Sequence, residues 1–173
     1  FLTAAGGRLG FEVEVLSAFK VGETTISSTK IRNAILAGEV RYAASLLGRP
    51  YNLAGEVISG SHRGVSLGFP TANIRPDKAL VPPNGVYAVH IILEGNRHRG
   101  ALNIGFNPTF ADQKLSIEVH IFDFNENIYG KHLDVLFIER LREEIRFASP
   151  GELIAQIDRD IARVREILQA ESS

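Results

Sequence analysis

The sequence predicts a mainly β fold: an antiparallel, closed or nearly closed barrel with a helix after it and a short α/β segment before it. Three observations support this prediction. Five or six short runs of β-branched and aromatic residues, separated by turn signals, fill the chain from residue 51 to about residue 141. Within that region no segment has the length of a crossover helix, so parallel pairing is not expected. Residues 149–170 then carry one apolar stripe at helical spacing.

Composition excludes several classes of protein before any motif is considered. The chain of 173 residues is long enough for one full domain with a remainder, and 19 basic against 20 acidic residues give a net charge of −1. The total shows no basic field for nucleic acid or for an anionic membrane surface. No apolar run reaches the roughly 18 residues that a membrane span needs. The chain contains no cysteine, so we expect a cytoplasmic protein, and no methionine, so we expect a fragment of a longer one.

The amino-terminal part carries one strand signal and two helix signals. FEVEVL (11–16) alternates apolar and charged residues, which predicts a strand. ISSTKIRNAILAGEVRYAASLLGRP (26–50) begins with three candidate N-caps, Ser27, Ser28 and Thr29, and continues with apolar residues at helical spacing. Gly38 interrupts this pattern and Gly48 ends it, so two short helices are expected.

Five runs predict strands of the barrel. The turn signals between them include Pro82-Pro83-Asn84-Gly85 and Tyr129-Gly130. Closing such strands into a barrel removes the exposed edges that an open sheet would leave. The five runs are LAGEVISG (53–60), GVYAVHIILEG (85–95), HRGALNIGF (98–106), LSIEVHIFDF (115–124) and HLDVLFIERL (132–141).

The closing segment carries the clearest helix signal. Ser149-Pro150-Gly151-Glu152 is a capping-box sequence with proline at the first helical position. The apolar residues that follow share one face of the helix, and we expect that face to pack on the barrel. They are Leu153, Ile154, Ile157, Ile161, Val164, Ile167 and Leu168.

The stretch GSHRGVSLGFPTAN (60–73) is the first candidate for a functional site. Its glycines can expose backbone N–H groups to phosphate oxygens, and Arg63 is its one certain cation. Thr71 and Asn73 stand two apart, so in an extended segment both side chains point to one face and offer hard neutral oxygens suited to Mg²⁺. A Walker A loop is excluded, because no lysine lies between Gly60 and Asn73. An ordinary hairpin connection with a turn at Asn73 is the alternative.

Glu118 is the second candidate. In SIEVHIF (116–122) it lies on the polar face of a strand together with Ser116 and His120, opposite an apolar face. Carboxylates are disfavoured in strands, and a function would explain this one: it could orient a hydroxyl and accept its proton during phosphoryl transfer. A solvent-facing strand residue is the alternative, and His120 is open to the same two interpretations.

Two further features lie between residues 129 and 147. Arg142 and Arg146 in LREEIRF (141–147) would share a face if this stretch were helical, although a solvated salt-bridge patch with the nearby glutamates also explains them. Tyr129 belongs to a turn, where an aromatic ring at the barrel rim could stack on a planar ligand. The histidines show no metal-ligand spacing.

Taken together, these motifs resemble one family. Their order and spacing over about residues 50 to 169 are similar to the riboflavin kinase module of prokaryotic bifunctional FAD synthetases. ISSTKIR (26–32) resembles the closing motif of the FMN adenylyltransferase domain of the same proteins, whose H-x-G-H signature is absent from this chain. The motifs of the kinase module are G-x-x-R-G-x-x-LGFPTAN, NGVYA (84–88), NIGFNPTF (103–110), IEVHIFDF (117–124), IYG (128–130) and LREEIRF.

The resemblance implies a fold and an activity. Residues 49–173 would form a six-stranded Greek-key barrel of the riboflavin kinase type, preceded at residues 1–48 by the carboxy-terminal remnant of a nucleotidyltransferase domain. The activity would be transfer of the ATP γ-phosphate to the ribityl 5′-hydroxyl of riboflavin to give FMN, with Mg²⁺ as cofactor. The adenylyltransferase domain would be a partner in the same parent chain, and FAD formation is expected only there.

The resemblance also implies a role for each site residue, and we expect the site at the mouth of the barrel. Glu118 would be the catalytic base, and Thr71 and Asn73 would hold the metal. A barrel that binds flavin or nucleotide without turnover, and residual FMN adenylyltransferase activity, are the alternatives. The implied nucleotide-binding residues are Gly60, Arg63, Gly64, Gly68, Thr71 and Asn73, and the implied flavin-binding residues are Phe110, Tyr129 and Arg142.

Overall fold

The computed structural model describes residues 1–14, 17–60, 68–77, 80–108 and 113–171. The elements before the barrel are α1 (Leu2–Leu9), β1 (Lys20–Val21), β2 (Thr24–Thr25), α2 (Ser28–Leu36) and α3 (Val40–Leu47). The strands of the barrel are β3 (Tyr51–Ile58), β4 (Ala72–Pro76), β5 (Gly85–Leu93), β6 (Asn96–Pro108), β7 (Gln113–Ile121) and β8 (His132–Arg142). Helix α4 (Pro150–Ala170) follows them.

The six longer strands close into an antiparallel barrel in the order β3-β4-β7-β6-β5-β8. Strands β5, β6 and β7 pair in sequence and β8 returns beside β5, which is the Greek-key arrangement. Because side chains alternate along a strand, one face of each strand points inward; Leu102 and Ile104 of β6 are fully buried, as is Val119 of β7. The predicted mainly β fold with a closed barrel and a carboxy-terminal helix is confirmed.

Strand β4 is the element of the barrel that the sequence does not predict. It pairs with β3 along four residues, but with β7 only through Ala72 opposite Val119 and Asn73 opposite Glu118. The strand is short, and it ends at Pro76. Its conformation is therefore set by its two neighbours more than by its own sequence.

The two predicted short helices before the barrel are confirmed as α2 and α3. Ser27 caps α2, because its hydroxyl accepts a hydrogen bond from the backbone N–H of Lys30 at 3.2 Å. The strand predicted at residues 11–16 is wrong for residues 11–14, which have no regular secondary structure. Phe11 is exposed, and no described strand pairs with this segment. An alternating pattern forms a strand only where a neighbouring strand accepts it.

Helix α4 begins and packs as its sequence predicts. The hydroxyl of Ser149 accepts from the backbone N–H of Glu152 at 3.3 Å, and the Glu152 carboxylate accepts from the backbone N–H of Ala148 at 3.1 Å. The buried side chains of the helix form a second apolar cluster on the outer wall of the barrel, with Val164 and Leu168 fully buried. Among the described helices, none combines the length and apolarity needed to cross a membrane.

Candidate active site

Strands β4 and β7 bring three predicted site residues together. Asn73 and Glu118 are direct partners in the ladder between these strands, and Thr71 immediately precedes β4. The hydroxyl of Thr71 donates to Oε2 of Glu118 at 3.3 Å. Because the neighbours of Glu118 in β7 point into the core, alternation turns Glu118 to the outer wall. The three predicted residues therefore converge on the outward face of these strands.

The second oxygen of Glu118 is also engaged. Ser116, two residues earlier on the same face of β7, donates its hydroxyl to Oε1 at 2.9 Å. Each oxygen of this half-buried carboxylate thus accepts a hydrogen bond from a hydroxyl. The sequence places Ser116 on the face of Glu118 but gives no reason to assign it a role.

Gly60 makes room for the amide of Asn73. A Cβ added to Gly60 would lie 1.9 Å from Nδ2 of Asn73 and 2.3 Å from its Cγ, so any side chain at residue 60 would displace the Asn73 amide. Gly60 follows the end of β3, where Ile58 pairs with Asn73. The close approach of backbone and amide explains the glycine at this position.

The turn before Thr71 is anchored on β7. Gly68 has φ +88°, in the left-handed region that glycine adopts without strain. The ring of Phe69 meets the ring of His120 edge to face, with centroids 6.2 Å apart. Nδ1 of His120 donates to the carbonyl of Pro70 at 2.8 Å, since a carbonyl can only accept. These contacts hold the backbone next to Thr71 and give His120 a structural role.

A cavity of about 350 Å³ adjoins Thr71. The core-facing side chains of Val57, Val119 and Ile121 line one part of the cavity. Residues 124–129, which include Tyr129, line another part. The structure therefore brings Tyr129 to the Thr71 side of the site. A half-open cavity with a mainly apolar lining and a few polar groups is typical of a ligand pocket.

Arg142 lies at the end of β8, in the same cross-strand row as Glu118. Arg142 pairs with Val86 of β5, Val86 with Asn103 of β6, and Asn103 with Glu118. At the usual strand spacing the backbones of Arg142 and Glu118 are about 14 Å apart along the wall. The structure does not bring Arg142 into contact with Thr71 or Glu118.

The guanidinium of Arg142 is engaged by helix α4. Nε donates to Oδ1 of Asp160 at 3.1 Å, and Nη2 donates to Oδ2 at 2.6 Å. Asp160 is buried, and the amide of Gln156 donates to its Oδ1 at 2.8 Å. The stretch LREEIRF is not helical: residues 141–142 belong to β8 and residues 143–147 have no regular secondary structure. The side-chain ion pair of Arg142 is with Asp160, not with the neighbouring glutamates.

The other predicted site residues lie outside the described residues or at their edge. Arg63, Gly64 and Phe110 are outside them, and Gly60 and Gly68 stand on either side of the gap at residues 61–67. In the described ranges no group of three or more His, Cys, Asp or Glu side chains could hold a metal ion. The hydroxyl, amide and carboxylate oxygens around Glu118 fit a hard cation that keeps water and phosphate ligands.

Comparison with known proteins identifies relatives over most of the chain. A family model described as riboflavin kinase matches residues 47–168. The bifunctional riboflavin kinase/FMN adenylyltransferase of Haemophilus influenzae is 43% identical over 161 residues, which are 92% of this chain and 52% of that protein. The enzyme of the same name from Listeria monocytogenes is 46% identical over 158 residues, 90% of this chain and 50% of that protein. The chain thus spans about half the length of these curated relatives.

Solved structures agree with the sequence comparison. A riboflavin kinase from Trypanosoma brucei superposes with a TM-score of 0.51 at 26% identity, over 70% of this chain and 81% of that chain. A Streptococcus pneumoniae protein described as a macrolide-efflux protein superposes with a TM-score of 0.84 at 35% identity. That match covers 93% of this chain and 53% of the other.

Proposed function

The chain belongs to the riboflavin kinase family, and from this premise we propose that it transfers the γ-phosphate of ATP to the ribityl 5′-hydroxyl of riboflavin, giving FMN and ADP. One observation carries the proposal: the Thr71 hydroxyl donates to Glu118 at 3.3 Å, beside Asn73. A carboxylate in this position can meet an alcohol and a metal-bound phosphate in one small volume. Phosphoryl transfer depends mainly on such positioning and on charge neutralisation.

Glu118 is the proposed catalytic base. It accepts the proton of the 5′-hydroxyl as the oxygen forms its bond to the γ-phosphorus, while the bond from that phosphorus to the β–γ bridging oxygen breaks and its electron pair leaves with ADP. The Thr71 hydroxyl donates a hydrogen bond to Glu118 and keeps its oxygen lone pairs for a metal. One side chain therefore links the proposed base to the proposed metal site.

Thr71 and Asn73 are the proposed protein ligands of Mg²⁺. Their neutral oxygens suit a cation that takes its other ligands from water and substrate phosphates. A bound Mg²⁺ would neutralise negative charge on the phosphate oxygens. Gly60 supports this role, because only a residue without a side chain leaves the Asn73 amide in place.

The two substrates are proposed to approach the Thr71–Glu118 pair from different sides. The cavity beside Thr71 is the proposed site of the adenine, since a nucleotide whose phosphates reach Thr71 has its base nearby. The sequence predicts a flavin contact for Tyr129, but its place on this cavity supports stacking on adenine instead. Riboflavin would then lie on the outer wall between Glu118 and Arg142. Arg63, Gly64 and Gly68 are proposed to bind the phosphates, and Phe110 is proposed to contact the flavin.

Residues 1–48 are the proposed tail of a nucleotidyltransferase domain, and residues 49–173 the kinase module. The curated relatives are bifunctional and about twice as long as this chain. Large apolar side chains are exposed in the first part of the chain, which fits a surface that packs against further protein. They include Phe1, Leu2, Leu9, Phe11, Phe19 and Val21.

The assay that tests the proposal supplies the purified chain with riboflavin, ATP and Mg²⁺ and separates the flavins by chromatography. We expect FMN and ADP in equal amounts. A folded chain that binds riboflavin but forms no FMN at any Mg²⁺ concentration would be a binding module, and the proposed activity would be rejected. A second reaction with FMN and ATP should give no FAD, because the H-x-G-H signature is absent from the chain.

A further inference from the structure

Ser116 is one of three buried polar or charged residues in the described part of the chain, with His90 and Asp160. A buried hydroxyl is costly unless it is hydrogen-bonded. That of Ser116 donates to Oε1 of Glu118 at 2.9 Å, although both residues lie on the outward face of β7. The buried donor and the half-buried carboxylate therefore form a hydrogen-bonded pair within one strand.

The neighbouring strand leaves this pair undisturbed. Ser116 lies opposite Gly105 of β6, and a Cβ added to Gly105 would lie 2.2 Å from Oε1 of Glu144. The Glu144 carboxylate, which accepts from Nδ2 of Asn84 at 3.0 Å, takes the space that a β6 side chain would fill. Because residue 105 is glycine, β6 places no side chain between Ser116 and Glu118.

Both direct cross-strand partners of Glu118 are amides. Asn73 faces it from β4 and Asn103 from β6, and both are uncharged. His120, two residues further on the same face of β7, uses Nδ1 for the carbonyl of Pro70. In the described ranges, Ser116 and Thr71 are the side chains that donate to the Glu118 carboxylate.

The carboxylate of a glutamate hangs on three rotatable side-chain bonds, so its orientation is fixed only when its oxygens are held. Thr71 holds Oε2 beside the proposed metal site, and Ser116 holds Oε1. On the basis of the proposed kinase activity, we propose that Ser116 is a positioning residue, which fixes the Glu118 carboxylate with Oε2 toward the substrate hydroxyl. Ser116 touches neither substrate nor metal and takes no part in bond making.

Comparing Ser116→Thr with Ser116→Val separates the effect of the hydroxyl from the effect of side-chain shape. Threonine keeps the hydroxyl and valine replaces it with a methyl group, while both are β-branched and suit a strand. We expect Ser116→Thr to keep the kcat of the unchanged chain and Ser116→Val to lower it about tenfold, with KM for riboflavin and for ATP within about twofold. Ser116→Ala is the second variant without the hydroxyl, and thermal unfolding shows that each variant is folded.

A double variant with Glu118→Gln tests whether Ser116 acts through Glu118. If it does, Ser116→Ala lowers kcat in the wild-type chain but causes no further loss in a chain that already carries Glu118→Gln. Equal kcat for Ser116→Thr and Ser116→Ala, or a full further loss in the Glu118→Gln background, overturns the positioning role. If the wild-type chain forms no FMN in the same series, the proposed kinase activity is rejected, and the role of Ser116 with it. If the wild-type chain is active but substitutions of Ser116 do not change kcat, only the positioning role of Ser116 is rejected.

Discussion

The hydroxyl of Thr71 lies 3.3 Å from Oε2 of Glu118, although 47 residues separate them in the chain. The contact exists because β4 and β7 pair at Asn73 and Glu118, which places the residue before β4 beside the carboxylate. It joins the proposed metal ligand to the proposed base without an intervening water. A change on either side of this contact should therefore affect phosphoryl transfer more than the fold.

Glu118→Gln should lower kcat by about 10² to 10⁴, because the amide keeps the shape of the side chain but cannot accept the proton. KM for both substrates should change little, since the proposed role lies in the transition state. FMN formation under saturating substrates measures the effect. Glu56→Gln is the matched control, because Glu56 is a strand carboxylate on β3, which β4 separates from β7, and it pairs with Arg75. Comparable losses in the two variants would contradict the assignment.

Gly60→Ala should impair metal-dependent turnover without unfolding the chain. The added Cβ meets the end of the Asn73 side chain, which can rotate away at small cost, so the amide oxygen leaves its place. We expect a higher Mg²⁺ concentration for half-maximal activity, as in Asn73→Ala, and a small change in melting temperature. Gly7→Ala in α1 is the control, because a Cβ there meets no atom within 4 Å. Unchanged Mg²⁺ dependence in Gly60→Ala would separate Gly60 from the metal site.

The local parts of the fold could be predicted from the sequence, and the long-range parts could not. Strands β5 to β8 and helix α4 show alternation, turn and capping signals within their own residues. Strand β4 and the strand expected at residues 11–16 depend on whether a neighbouring strand is available, which lies outside any short window.

The candidate site shows the same division. The residue types of LGFPTAN and the polar face of β7 indicate the chemistry, but the register that sets Asn73 opposite Glu118 is a property of the closed barrel. Ser116 and His120 carry no motif of their own. Their contacts to Glu118 and Pro70 become visible only when β4 and its preceding turn lie against β7.

His120→Phe should weaken ATP binding by loosening the turn before Thr71. Phenylalanine keeps the aromatic contact with Phe69 but removes the hydrogen bond to the carbonyl of Pro70. We expect KM for ATP to rise about fivefold, which corresponds to about 1 kcal/mol for one hydrogen bond. His120→Asn, whose amide N–H can replace Nδ1–H, should retain most of the affinity. If phenylalanine and asparagine behave alike, the hydrogen bond does not hold the turn.

Asp160→Asn should destabilise the contact between α4 and the barrel. The change removes the charge that holds the guanidinium of Arg142, and one amide N–H then faces a cation that can only donate. The free energy of unfolding should fall by about 2 kcal/mol, measured by urea denaturation. Asp158→Asn, an exposed position in the same helix, should stay within about 0.5 kcal/mol of the unchanged chain. Equal stability of the two variants would show that the Arg142 pair contributes nothing.

Lowering the pH should destabilise the fold through His90. Burial, and then the charge of Arg97, hold the pKa of His90 below its ordinary value of 6.5, against the opposing effect of Glu171. As the pH falls below about 6.5 the unfolded chain takes up a proton that folded His90 does not, so the free energy of unfolding decreases by at most about 1.4 kcal/mol per pH unit. Urea denaturation between about pH 7.5 and about pH 5.5 measures this slope, and His90→Leu should reduce it. His132→Gln, which removes an exposed histidine, is the control, and equal slopes in the two variants would show that His90 is not the group responsible.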